Sequence, residues 1–107
     1  MDFEVTIFTI ITYSGEARSS SMEAIQHAKR GSFSKAEKCI NDAIEKLALA
    51  HEAQTTLIHT EAQGQKVEVS LLMVHAQDHL MNAITIKDLA SEFVDLYKNV
   101  ATEEVEA

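Results

Sequence analysis

Residues 69–97 read VSLLMVHAQDHLMNAITIKDLASEFVDLY. Val69, Leu72, Met73, Ala76, Leu80, Ala83, Ile84, Ala90, Phe93, Val94 and Tyr97 recur at steps of three, four and seven, the spacing of one face of an α-helix. The pattern predicts a single helix from about Val67 to Ala101. At 1.5 Å per residue it would be roughly 50 Å long. A strand competes only over KVEVSLLMV, where Val67 and Val69 alternate with polar neighbours. The stripe continues unbroken to Ile84, so the helical reading is preferred. Leu71, Val74 and Met81 lie off that stripe. A helix with apolar surface on two sides packs on two sides, which points to a self-associated bundle.

Two further helices precede it. Phe3, Ile7, Ile10, Ser14, Ala17, Ser21, Ala24 and Ala28 form a seam of heptad type whose small residues admit a close neighbour. Lys29 and Arg30 suit the negative end of that helix, and Gly31 suits its C-terminal cap. Gly15 falls inside the periodic stretch, where it costs about 1 kcal/mol against alanine; a close helix contact or a bend would explain it. The second helix is expected to open at SFSKAE, with Ser34 and Glu37 at capping-box spacing. Its stripe is Ala36, Cys39, Ile40, Ala43, Ile44, Leu47, Ala50, Leu57 and Ile58, ending near Glu61 before the polar AQGQK. The chain contains no proline, so nothing forces a kink. The expected fold is all-α: one domain over residues 1–107, a three-helix antiparallel up-down-up bundle with an acidic tail, ATEEVEA, that frays.

Composition narrows the function classes. A formal net charge of −8 with nine Lys and Arg, and no basic run, argues against nucleic acid or an anionic membrane as partner. The opening MDFEVTIFTIIT carries acid where a signal peptide carries positive charge, and its apolar run is too short to span a bilayer. Cys39 is the only cysteine, which excludes an internal disulfide and suits a reducing cytoplasm. It falls on the apolar stripe of the second helix, as a structural thiol would.

His75, Asp78, His79 and Asn82 follow i, i+3, i+4, i+7 and so share one polar face of the third helix. Three explanations fit. Histidines at i and i+4 can share a metal, with Asp78 joining. Against this, the residues three before the five histidines are Ala24, Ala48, Thr56, Leu72 and Ala76, so the Glu-x-x-His pairs of di-iron bundles are missing. His-Glu-x-x-His is missing too, since HEAQT has Thr55 at the last position. A second explanation is a nucleophilic imidazole that accepts a phosphoryl group and needs only modest support. The third is a solvated polar face with no chemistry. His27, His51 and His59 lack partnered spacing, and Asp42 and Glu45 read as outward-facing charge. Arg18, beside the small-residue seam, could pair with a carboxylate.

The motif VHAQDHLM resembles the signature of the IIA component of the lactose/cellobiose (N,N′-diacetylchitobiose) family of the bacterial phosphoenolpyruvate-dependent sugar phosphotransferase system. The resemblance extends in order through SGEARSSSMEAI, AHEAQTTLI, EVSLLMVHAQDHLMNAI and KDLASEFVDLY, nearly the whole chain. Slight departures at Tyr13 and Ser20 touch no key position. The resemblance implies a homotrimer of three-helix hairpins and a phosphotransferase component working in the cytoplasm. It implies that His75 takes a phosphoryl group from the phosphocarrier HPr and passes it to a cysteine of the IIB component, for phosphorylation of an imported lactose-, cellobiose- or chitobiose-type sugar. It places the family's metal-binding aspartate on Asp78, one per subunit around a divalent ion, Mg2+, on the trimer axis. Gln77 and His79 would support the phosphoryl group. The competing class is a non-catalytic helical oligomerisation or interaction module with a structural metal site.

Overall fold

The computed structural model describes residues 3–106, with the side chains of 105 and 106 outside the description. Three helices follow in order: α1 (Glu4–Lys29), α2 (Phe33–Ala62) and α3 (Leu71–Glu106). They lie along one another in an up-down-up bundle 62 × 19 × 19 Å in extent. α1 sits between the other two and packs along both, whereas α2 and α3 meet over less of their length.

The seam of α1 is buried as its spacing predicts: Ile7, Ile10, Ser14, Ala17, Ser21, Ala24 and Ala28 all face inward, with Phe3 half-buried. Small residues let the helices approach closely, but two of them are serines. Ser21 Oγ donates to the Ala17 carbonyl at 2.8 Å, the back-bond that lets a hydroxyl enter a helical core. Ser14 Oγ has no partner among the described residues. The main core joins Ile7 and Ile10 to Leu47, Leu57, Met73 and Leu80, and a smaller cluster of Ala24, Ala28, Ala36 and Val94 lies toward the α1–α2 turn.

Both helix–helix connections are punctuated by glycine, and the geometry requires it. Gly31 has φ +77° and Gly64 has φ +91°, where a Cβ is strained. Around Gly31, the Ser32 amide donates to the His27 carbonyl at 2.9 Å and the Gly31 amide to the Ala28 carbonyl at 3.0 Å. That paired closure is a Schellman cap. The same pattern closes α2 through Gln65 to Thr60 and Gly64 to Glu61.

Five expectations are corrected. α3 begins at Leu71 and not near Val67; residues 65–70 are irregular. The reason is Ser70, whose Oγ accepts the Met73 amide at 3.1 Å and so caps the helix. Val67 still enters the core, but Val69 is 75% exposed and does not belong to the stripe. The Ser34–Glu37 capping box does not form, because α2 already starts at Phe33 with Ser32 as its cap residue. Ile44 and Ile58 of the α2 stripe point outward. At the far end, α3 continues to Glu106, beyond the expected stop at Ala101.

Candidate functional site

Because α3 turns about 100° per residue, the position of each side chain on it follows from its number. Leu71, Val74, Asp78, Met81, Leu89 and Leu96 fall on one side, and all six are exposed in the single chain. The five apolar members are each at least half exposed, so this is the second apolar face expected from the sequence. Its spacing of three and four is that of a coiled-coil seam, with the carboxylate of Asp78 set among apolar neighbours. Asn82 Nδ2 donates to Asp78 Oδ2 at 3.3 Å from one turn below.

His75 and His79 lie on the flank of that seam nearer α1. Their rings stack, with centroids 5.7 Å apart and planes 10° from parallel. His75 is exposed, whereas His79 is half-buried. The inner ring is held by α1: a Cβ placed on Gly15 would come 3.4 Å from His79 Nε2. Gly15 thus faces the His79 ring at a separation where a Cβ would make only ordinary contact, so the approach does not by itself demand glycine. A shallow cleft beside it is bordered by Thr12, Glu16, Ser19, Asp42, Lys46 and His79. An accessible imidazole backed by a fixed second ring can present its outer nitrogen to a reagent while its orientation is kept.

Gln77 is placed elsewhere. It lies about 160° round α3 from His75, on the opposite flank of the seam. There its Oε1 accepts from Gln54 Nε2 of α2 at 2.5 Å. Within one chain, then, His75, His79, Asp78 and Asn82 are neighbours, and Gln77 is not among them. Gln54 was not foreseen; nothing in its local sequence marks it, since the contact joins residues 23 apart.

Other polar residues also find places the spacing did not indicate. Asp42 is half-buried and not simply solvated: its Oδ2 accepts from Ser20 Oγ at 2.5 Å and its Oδ1 lies 4.0 Å from Lys46 Nζ. His27 is partnered with Glu23 at 3.9 Å, one helical turn away. Arg18 is exposed and forms no ion pair among the described residues. Cys39 is half-buried, and its thiol is pushed above its ordinary range by burial and then by the charges of Glu23 and Asp42. Among the described residues no helix is long and apolar enough to cross a membrane.

Comparison with known proteins agrees with this geometry over nearly the full length. Residues 5–98 match the family described as "PTS system, Lactose/Cellobiose specific IIA subunit". The chain is 54% identical over 99 residues to the lichenan-specific phosphotransferase enzyme IIA component of Bacillus subtilis, covering 92% of this chain and 90% of that one. Its structure resembles the cellobiose-specific enzyme IIA of Bacillus anthracis, with TM-score 0.92, 50% identity, and 95% and 94% of the two chains covered. It also resembles the chitobiose IIA solved in complex with HPr from Escherichia coli, with TM-score 0.82, 35% identity, and 94% and 98% covered. With matching sequence, matching fold and a match along almost every residue, the chain belongs to the lactose/cellobiose-specific IIA family of the phosphotransferase system.

Proposed function

We propose that His75 is the phosphoryl carrier: it takes the group from HPr and passes it to a cysteine of the IIB component during uptake of a lactose-, cellobiose- or chitobiose-type sugar. The observation that carries the reading is the stacked pair on α3, an exposed His75 ring set against a half-buried His79. In the first step the His75 ring nitrogen attacks phosphorus in line while the bond to the donor breaks. In the second the same nitrogen is the leaving group as the IIB sulfur attacks. Little covalent work is asked of the protein, so catalysis is positioning and charge stabilisation at the docked surface. The complex of the E. coli relative with HPr supports the choice of donor. The work is done in the cytoplasm.

The seam on α3 supports a homotrimer. Leu71, Val74, Met81, Leu89 and Leu96 would be covered in it, and Asp78 of each copy would approach the axis. Clustered carboxylates repel unless protonated or bridged by a cation that prefers oxygen. Asp78 fits such an ion, since it is an accessible carboxylate with one oxygen facing the Asn82 amide. A Mg2+ there would supply charge neutralisation for assembly, leaving the phosphoryl chemistry to His75. Flank positions on either side of a seam meet those of the neighbouring helices. Gln77 on one flank and His75 on the other would thus come together between copies. With its oxygen engaged by Gln54 and its Nε2 also directed at Met73 Sδ, 3.9 Å away, Gln77 has one further amide hydrogen for a phosphoryl oxygen, and His79 supports that oxygen from within the same chain.

Intact mass after incubation with phosphoenolpyruvate, enzyme I and HPr tests the carrier role. One acid-labile phosphoryl adduct per chain is expected, absent in His75→Gln. An adduct that persists in His75→Gln refutes the assignment. Asp78→Leu is expected to release the metal and change the sedimentation behaviour; unchanged metal content and mass would reject the axial ion.

A further inference from the structure

Near the α1–α2 turn, at a distance along the bundle from the His75 region, three side chains of different chemistry converge. Glu23 and His27 stand one turn apart on α1, with the carboxylate 3.9 Å from Nε2. Cys39 on α2 faces them, and the carboxylate oxygen, imidazole nitrogen and sulfur all lie within 4.8 Å of one another. Nothing in the phosphocarrier reading uses any of the three.

We propose that Glu23, His27 and Cys39 form a binding site for a zinc-class divalent ion, with water completing a four-coordinate shell. The donor set, one thiolate, one imidazole and one carboxylate, is borderline-soft and selects zinc over magnesium or calcium. One thiolate and one carboxylate balance the ion's charge. Bonds of about 2.0–2.3 Å in a tetrahedron put neighbouring donors about 3.3–3.6 Å apart. Donors spread over no more than 4.8 Å need only modest side-chain rotation to close on an ion, with little asked of the α1 and α2 backbones where they stand. They are held there by the small core of Ala24, Ala28, Ala36 and Val94, against which Cys39 itself packs. His27 is 22% exposed and Glu23 63%, so the ion has an open approach from the Glu23 side.

The electrostatics favour a cation. Without one, burial first, and then the Glu23 and Asp42 carboxylates, push the Cys39 thiol above its ordinary range. That argues against a nucleophilic cysteine, which needs an electropositive setting. Binding reverses the balance: the thiol proton leaves to solvent and the sulfur bonds the metal. Asp42 stays out of the coordination shell, since its carboxylate is shared between Ser20 and Lys46. It contributes negative charge at longer range.

The test is titration of the metal-free full-length protein with Co2+ alone, followed by absorbance. The expected result is a thiolate-to-cobalt charge-transfer band with tetrahedral visible bands, saturating at one ion per chain and reversed by Zn2+. Cys39→Ser is expected to lose the charge-transfer band, and His27→Gln and Glu23→Gln each to weaken Co2+ binding by about tenfold or more. Asp78→Leu is expected to keep the band, which separates this site from an oxygen-only ion on α3. Far-UV circular dichroism, which reads the three helices directly, serves as the folding control in every variant. A wild-type protein without the thiolate band overturns the proposal. So does a band whose affinity is unchanged in both His27→Gln and Glu23→Gln, because the cysteine would then bind alone.

Discussion

Gly15 couples helix stability to the histidine pair, and two substitutions separate the effects. It lies within α1 with an ordinary helical backbone, since only Gly31 and Gly64 have positive φ among the described glycines. Alanine at an interior helical position is favoured over glycine by about 0.8–1.0 kcal/mol. The added Cβ would meet His79 Nε2 at 3.4 Å, an ordinary van der Waals separation, so no clash subtracts from that gain. Gly15→Ala is thus expected to stabilise the fold by about 1 kcal/mol. In urea, with a slope of about 1–3 kcal/mol per molar, the midpoint would rise by roughly 0.3–1 M at constant slope. Gly15→Val is different, because its γ carbons reach about 1.5 Å beyond Cβ into space the ring occupies. The His79 ring must move, and with it the stacked partner His75. The assay pairs urea unfolding at fixed protein concentration with imidazole 15N–1H spectra and the rate of phosphoryl uptake from HPr. Expected are a stabilised Gly15→Ala with unmoved ring signals and a Gly15→Val with shifted signals and slower uptake. Destabilisation by alanine, or rings undisturbed by valine, would refute the reasoning.

Three other substitutions or conditions address the rest of the fold. Leu80 is fully buried in the first third of α3, so Leu80→Ala should cost about 2–5 kcal/mol by urea unfolding, a cavity-sized loss. Lys98 pairs with Glu37 across the α2–α3 interface while both stay partly solvated. Lys98→Ala should therefore cost about 1 kcal/mol or less, and a double-mutant cycle with Glu37→Gln should show the coupling shrinking as salt rises. In metal-free protein, iodoacetamide should modify Cys39 with a pH midpoint above that of an exposed thiol, as burial and neighbouring carboxylates demand. The native state holds that proton more tightly than the unfolded chain. Its contribution to stability is complete below the unfolded thiol's pKa and declines as pH rises through the higher native value. An alkylation midpoint at or below that of a free thiol would contradict this.

Much of the fold was legible along the chain because it depends on neighbours in sequence. The α1 seam is buried as spaced from Ile7 to Ala28, and Gly31 and Gly64 end helices where a positive φ is needed. The errors sit where tertiary packing competes with local pattern. Val67 and Val69 continue a helical stripe on paper, yet Ser70 starts the helix after them and leaves one buried and the other in solvent. Ile44 and Ile58 fit the α2 stripe by period, but with only α1 and a limited stretch of α3 to pack on, α2 cannot cover its whole apolar arc.

The same division runs through the candidate site. Sequence alone put His75, Asp78, His79 and Asn82 on one face of α3, because residues three and four apart on a helix are neighbours whatever surrounds them. It also showed the surplus of Leu71, Val74 and Met81, since amphipathicity is a property of spacing. Only the tertiary structure decided which histidine is backed and which is free, because that depends on Gly15 of α1 lying against His79. It also separated Gln77 from His75 by joining it to Gln54, and brought Cys39 to Glu23 and His27. Those contacts join different helices, and nothing in the local spacing of one helix specifies which side chain of another it will meet.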